Sequence, residues 1–384
     1  MFVLVEGGEV FAPEPLGAAP VLLAGDRIAK VGPVDGRALA ALGVDVEVID
    51  ARGCAVIPGL LDPHEHLLGG SGERGFASQT PEIALGEVVT AGITTVVGCL
   101  GVDTTTKTMA GLLAKARAFK EEGISAYLYS GGYDVPPVTL TGTVRRDMLL
   151  VEEVIGAGEV AVSDLRSAEP SLAELARLAS DAHVGGILTG KAGVTHLHVG
   201  DGPRRLEPVR RLIAEHDVAP GWLYPTHVER NEALMREAVA LTRQGVTVDI
   251  DTVEEDLGQW LRFFCDEGGD LDRLTVSSDA SIPSPRTLFE QLREVVREHG
   301  FPLERALPLV TSNTARTLKL ARKGALRPGH DADVVVLERG SLEIVEVIAR
   351  GRRMVKAGRL AVTERFLEQS NRKVELHGRK KRGR

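Results

Sequence analysis

A chain of 384 residues, 43% apolar and 26% charged, has the composition of a soluble globular protein with a sizeable core, not of a fibrous or disordered one. Its net charge of −8 argues against nucleic acid or an anionic membrane surface as partner, and three scattered cysteines (Cys54, Cys99 and Cys265) argue against a disulfide framework. No basic-then-apolar leader opens the sequence and no apolar run is long enough to span a bilayer, so a reducing cytoplasm is the expected setting.

Taken in order, Val3-Leu4-Val5, Val21-Leu22-Leu23 and Val46-Glu47-Val48-Ile49 read as strands with turn signals between them. From Val56 the pattern changes to strands alternating with amphipathic stretches. The apolar or β-branched runs are 56–61, 94–100, 125–130, 159–163, 193–199, 222–226, 246–251 and 273–278. Between them lie helical patterns such as Leu112–Glu122, Ser171–Ala182, Arg204–Glu215, Asn231–Gln244 and Pro285–His299. Eight strand signals in one α/β series predict a (β/α)8 TIM barrel over 56–324. Strand-rich character returns in 332–337, 344–349 and 354–355, so residues 1–55 and 325–370 are expected to form one small β-sandwich-like domain from both chain ends. The basic stretch 371–384 is expected to be a solvated tail.

Candidate chemistry follows the strand ends, since a barrel of this kind carries its site at their carboxyl face. The first run ends in His64-Glu65-His66, and alternation puts the two imidazoles on one side. The fifth holds His196 and His198 on one face, the sixth ends at His227, and the eighth ends at Asp279. Singly, each reads as a helix cap or a satisfied core polar group. Together on one face they point to a metal site.

These residues resemble a family. Pro58-Gly59-Leu60-Leu61-Asp62 before His64 and His66, the later His198 and His227, Asp279 in Ser277-Ser278-Asp279, and Gly329-His330-Asp331-Ala332-Asp333 are similar to the amidohydrolase superfamily. A closer resemblance is to the isoaspartyl dipeptidases (β-aspartyl peptidases). It rests on His66–Glu73, Glu121–Ala126, Ser163-Asp164-Leu165-Arg166-Ser167-Ala168, His198-Val199-Gly200-Asp201 and Pro225–Asn231. The resemblance implies hydrolysis of the amide of a β-aspartyl dipeptide by a metal-bridged hydroxide, with two divalent ions, usually zinc. It implies His64, His66 and Asp279 on one metal and His198 and His227 on the other, with Asp279 also moving the proton. Spacing alone does not separate His196 from His198; the His-x-Gly-Asp match favours His198. Glu73 is implied as the receiver of the α-amino group, Arg166 and Arg230 as carboxylate partners, Tyr133 as the group that polarises the carbonyl, and a homo-oligomer as the assembly.

Three departures from the family pattern stand out. The bridging carboxylated lysine lies seven residues before the arginine matched by Arg166, and Glu159 stands there instead. Glu159 is therefore the expected bridge, with Lys191 as the alternative; its shorter stem requires the fourth strand or the metals to shift inward. The family serine four residues after the metal aspartate is Pro283, leaving Ser281 or Ser284 as substitutes, and the threonine after the second strand is Val102. Two other readings stay open: a related amidohydrolase acting on another N-acyl amino acid or a cyclic amide, and a catalytically silent scaffold of the same fold.

Overall fold

The computed structural model describes residues 2–41, 43–254 and 256–371; the basic tail expected over 371–384 lies, but for Asn371, outside the described residues. The strand–helix alternation is present as a parallel series, here numbered β1 (Leu60–Glu65), β2 (Ile93–Gly98), β3 (Ser125–Ser130), β4 (Val154–Val162), β5 (Val194–Val199), β6 (Leu223–Thr226), β7 (Val248–Asp251) and β8 (Leu274–Ser277). β1 to β6 pair in sequence order, and β7 pairs with β8. β7 lies beside β6 and β8 beside β1. A parallel bridge joins Glu65, at the end of β1, to Ala280, just past β8. The sheet therefore curls in the manner of a TIM-barrel-type domain. Nearly every residue of these strands is buried, as parallel strands covered on both faces must be.

The helices take their ends from local chemistry. Ser171 and Glu174 form a capping box at the start of Leu172–Thr189, and the Asn231 side chain accepts from Leu234 N–H at the start of Glu232–Thr242. Helices also form at Leu85–Thr90, Val144–Leu150 and Leu257–Asp266. Among the described residues, no helix is long and apolar enough to cross a membrane.

One boundary differs from the expectation. The run 56–61 is not one strand: Cys54–Pro58 ends at Gly59, and β1 begins at Leu60. A Cβ on Gly59 would meet Thr94 Oγ1 at 2.2 Å, so only glycine allows the backbone to pass between the two sheets here. Cys54–Pro58 pairs instead with Val334–Glu338, antiparallel, and with Glu9–Phe11, parallel. A seven-stranded sheet thus mixes strands from both chain ends. Beside it, Phe2–Glu6, Val21–Ala24, Arg27–Val31 and Val46–Asp50 form a four-stranded sheet. Val3, Val5, Val21 and Leu23 of the smaller sheet share a core with Val56, Val334, Val336 and Ile348 of the larger.

Candidate metal centre

The side chains expected at the strand ends converge. His64, at the end of β1, is fully buried; its Nε2 lies 3.2 Å from Glu159 Oε2 and 3.4 Å from Asp279 Oδ1. His66 Nε2 lies 3.0 Å from Asp279 Oδ1 and 3.6 Å from Glu159 Oε2. On the other side, Glu159 Oε1 is 2.6 Å from His198 Nδ1 and 3.2 Å from His227 Nε2. One carboxylate thus faces both histidine pairs, one oxygen to each.

Backbone geometry explains how a short glutamate reaches this point. The pairing of β4 with β5 slips between Ala157 and Val160, so Gly158 and Glu159 form a bulge that moves the carboxylate inward. Gly158 has φ +142°, and a Cβ there would meet His196 Cβ and O at 2.8 Å. His227 and Asp279 also have positive φ, +61° and +45°, a conformation such residues adopt where the fold imposes it. Lys191 lies elsewhere. Its ammonium donates to Met148 O at 2.7 Å and Val151 O at 2.6 Å, closing the end of the helix Val144–Leu150.

Two carboxylates orient the second histidine pair, and the sequence reading assigned neither a role. Asp164 Oδ2 lies 3.1 Å from His198 Nε2, which Arg166 Nη2 and Arg230 Nη2 also approach at 2.9 and 3.3 Å, and Asp251 Oδ2 lies 2.6 Å from His227 Nδ1. Such outer partners fix ring orientation and tautomer. Asp251 carries the one available signal, an acid at the carboxyl end of a barrel strand. Glu229 is buried near Asp251; burial and then the Asp251 charge push its carboxyl well above the usual range. His196 sits beneath the site, edge-on to His64 with ring centroids 4.8 Å apart. Its Nδ1 lies 3.0 Å from Tyr224 O, and burial together with the His64 charge keeps the ring neutral.

Electrostatics fit a cation. Burial opposes charge on His64, yet Glu159, Cys99 and Asp279 lift its pKa well above the ordinary imidazole value. Burial likewise opposes charge on Glu159, but His64 and His198 hold it well below the usual carboxylate range. Both ring nitrogens of His64, and Asp279 Oδ1, are buried without a hydrogen bond of good geometry. Imidazole nitrogens and carboxylate oxygens gathered in clusters His64–His66–Cys99–Glu159 and Glu159–His198–His227 are a donor set suited to divalent ions.

A cavity of about 810 Å³ opens over these groups, walled by Glu73, Tyr133, Arg166, Arg230, Ser281 and Pro283 among others. Tyr133 OH lies 2.9 Å from His198 Nδ1, and the Arg166 guanidinium stands over its ring at 5.3 Å. Burial, then Glu159, push the Tyr133 pKa up, so its hydroxyl keeps its proton. Arg166 donates to both oxygens of Asp164 at 2.9 Å and to Glu73 at 2.7 Å. Arg230 lines the cavity; its Nε donates to Val199 O at 2.7 Å and its Nη2 lies 3.3 Å from His198 Nε2. Ser281 and Val102 line the cavity, whereas Ser284 lies at the start of the helix Arg286–Arg297, its hydroxyl oxygen accepting from Arg286 N–H.

Comparison with known proteins places this geometry among relatives. The profile of the amidohydrolase family matches residues 174–358. The structure superposes on the β-aspartyl dipeptidase of the thermophilic, keratin-degrading Fervidobacterium islandicum AW-1 with a TM-score of 0.90 and 37% identity, covering 94% of this chain and 99% of that one. The same enzyme in complex with the β-Asp-Leu dipeptide gives a TM-score of 0.88 at 36% identity, with the same coverage. By sequence, adenine deaminase 2 of Rhizobium meliloti (strain 1021) is 26% identical over 378 residues, 93% of this chain; the chain spans 57% of that deaminase's length.

Proposed function

Because the chain belongs to the amidohydrolase family, with β-aspartyl dipeptidases among its relatives, we propose that it is a metal-dependent hydrolase of the amide bond of β-aspartyl dipeptides. The observation that carries this reading is Glu159, whose two oxygens face two histidine pairs at the floor of a cavity walled by two arginines. In this reading His64, His66 and Asp279 would hold one divalent ion and His198 and His227 the other, with Glu159 placed between the two histidine pairs. Zinc suits the nitrogen-rich donor set. Such ions lower the pKa of a water and polarise a carbonyl, so hydrolysis runs near neutral pH. The catalytic (β/α)8 barrel then runs from Leu60 to about residue 324, and the strand Cys54–Pro58 goes with the β unit built from both chain ends.

The remaining steps belong to the chain's own side chains. Asp279 accepts the proton of the attacking water on a carboxylate oxygen and hands it to the leaving amine. The Tyr133 hydroxyl, protonated and buried, donates to the oxygen on which negative charge develops. Arg166 and Arg230 take the dipeptide's carboxylates through planar guanidinium edges. Glu73 takes the α-ammonium; its present pairing with Arg166 involves a half-exposed carboxylate and is easily exchanged. A homo-oligomer fits the apolar side chains Leu149, Leu150, Ile187 and Leu188, exposed at the ends of two helices that pack together.

A related N-acyl amino acid as substrate is the second reading, favoured by Val102 and Pro283, which present apolar faces to the cavity. A silent scaffold fits poorly with a complete donor set. The deciding experiment is kinetics on matched β-aspartyl, α-aspartyl and N-acyl substrates, with elemental analysis of the same preparation. Two divalent ions per chain, loss of turnover in chelator, and the highest kcat/KM for β-Asp-Leu are expected. Metal-free protein with full activity in chelator rejects the metal-dependent reading, and equal rates on β-aspartyl and N-acyl substrates reject the dipeptide assignment.

A further inference from the structure

Cys99 follows β2, a strand to which the sequence reading gave no ligand. Its thiol is 1% exposed, with Sγ 3.8 Å from His66 Nδ1 and 3.9 Å from Glu159 Oε2. Its backbone N–H donates to Glu65 O at 3.0 Å, which ties the sulfur to the strand end that carries His64 and His66. One donor atom from each of His64, His66, Cys99 and Glu159 lies within 4.8 Å of the other three. Two donors held about 2.0–2.3 Å from one ion stand roughly 3–4 Å apart across it, and the 3.9 Å between Cys99 Sγ and Glu159 Oε2 is such a spacing. A second observation points to the same place: His64 is fully buried and neither ring nitrogen has a hydrogen bond.

We propose that the Cys99 thiolate is a ligand of the ion held by His64 and His66, which makes that half of the centre a sulfur-containing site selective for soft divalent ions. The inference rests on the metal-dependent reading above. Binding releases the thiol proton to solvent and replaces the S–H bond with a sulfur–metal bond, so the step needs no oxidant or reductant. A sulfur donor favours zinc, cadmium and cobalt over manganese and magnesium, which oxygen donors suit. The competing role for the thiol is a contact to His66 Nδ1 that only orients the ring. The two roles differ in whether sulfur and metal share electrons.

Cobalt(II) reports that difference. Purified full-length protein is stripped and reloaded with cobalt(II). A near-ultraviolet sulfur-to-cobalt charge-transfer band is expected in the wild type, lost in Cys99→Ser and kept in Cys54→Ser/Cys265→Ser. Visible cobalt bands without the charge-transfer band in the wild type overturn the sulfur ligand and leave the metal-dependent reading standing. Failure to take up cobalt at all overturns both. The wild-type spectrum decides without any variant having to fold. As a second readout, Cys99→Ser should lose cadmium affinity by more than about tenfold while manganese affinity changes little; equal losses for the two ions point to ring orientation alone and overturn the proposal.

Discussion

Glu159 already carries the charge that a carboxylated lysine acquires only by reaction with carbon dioxide. Metal-stripped protein should therefore regain activity with zinc in buffer purged of carbon dioxide, and Glu159→Gln should not. Reactivation that requires bicarbonate would reject Glu159 as the bridge. Asp251→Asn should reduce metal affinity about 10–100-fold, read by competition with a chelating dye, because His227 loses the carboxylate that orients its Nδ1. An unchanged affinity would mean that the ring is held by packing alone. Arg230→Ala should lower kcat/KM for β-Asp-Leu by an amount worth roughly 2–5 kcal/mol, since it strands a substrate carboxylate in the cavity; unchanged kcat/KM would remove Arg230 from the site. His64 and His66 stand out in the sequence by their spacing at a strand end, whereas the choice of His198 over His196 rests on the family resemblance and His227 is a lone strand-end histidine. Asp279 was legible as an acid at a strand end and Asp251 offers the same signal, whereas Asp164 and Cys99, each just past a strand end, acquire meaning only from what they face.

At the scale of elements, β4 shows why a plausible ligand identity does not give a plausible reach. Alternation along Glu159-Val160-Ala161 gives a face but no depth, and the glutamate stem is too short for the lysine's place in a regular strand. The register slips at Gly158–Glu159 within the nine-residue strand Val154–Val162, and this bulge is the feature expected to set the carboxylate's depth. Sequence periodicity found the strand from 159 onward and missed its first half, where Gly156 and Gly158 break the β-branched pattern. Gly158→Ala tests the device. At φ +142° with His196 atoms 2.8 Å from the new Cβ, the alanine is strained and crowded, at a cost on the order of 1–3 kcal/mol. A lowered Tm and a lowered metal content are both expected, by thermal unfolding and elemental analysis. A variant with full metal content would show that the bulge does not set the position of Glu159.

For the whole molecule, the question is what fixes the sheets built from both chain ends to the parallel strand series. Their existence was legible from strand-rich ends. The joint was not, because it depends on a lysine that reads as an ordinary surface charge. Lys323 is buried, and its ammonium reaches Asp331 Oδ2 at 2.8 Å, Asp333 Oδ2 at 2.5 Å and, at the start of β3, Ser125 Oγ at 2.6 Å. Asp333 in turn accepts from Arg350 N–H at 2.7 Å, and Asp331 pairs with Arg27 of the four-stranded sheet. One cation therefore links β3 to both end sheets. Burial pulls the Lys323 pKa down and Asp333 opposes this, so the ammonium persists only while its carboxylates are in place. Lys323→Met keeps the stem's volume and removes the charge, leaving two buried carboxylates with fewer partners. Breaking a buried ion pair from one side costs about 3–5 kcal/mol, far more than a surface pair is worth. The expected result is a lower denaturation midpoint and faster proteolysis near the joint. Lys323→Met combined with Asp333→Asn should recover much of the loss, because the stranded charge is then gone. A single variant as stable as the wild type would show that apolar packing alone holds the two units together.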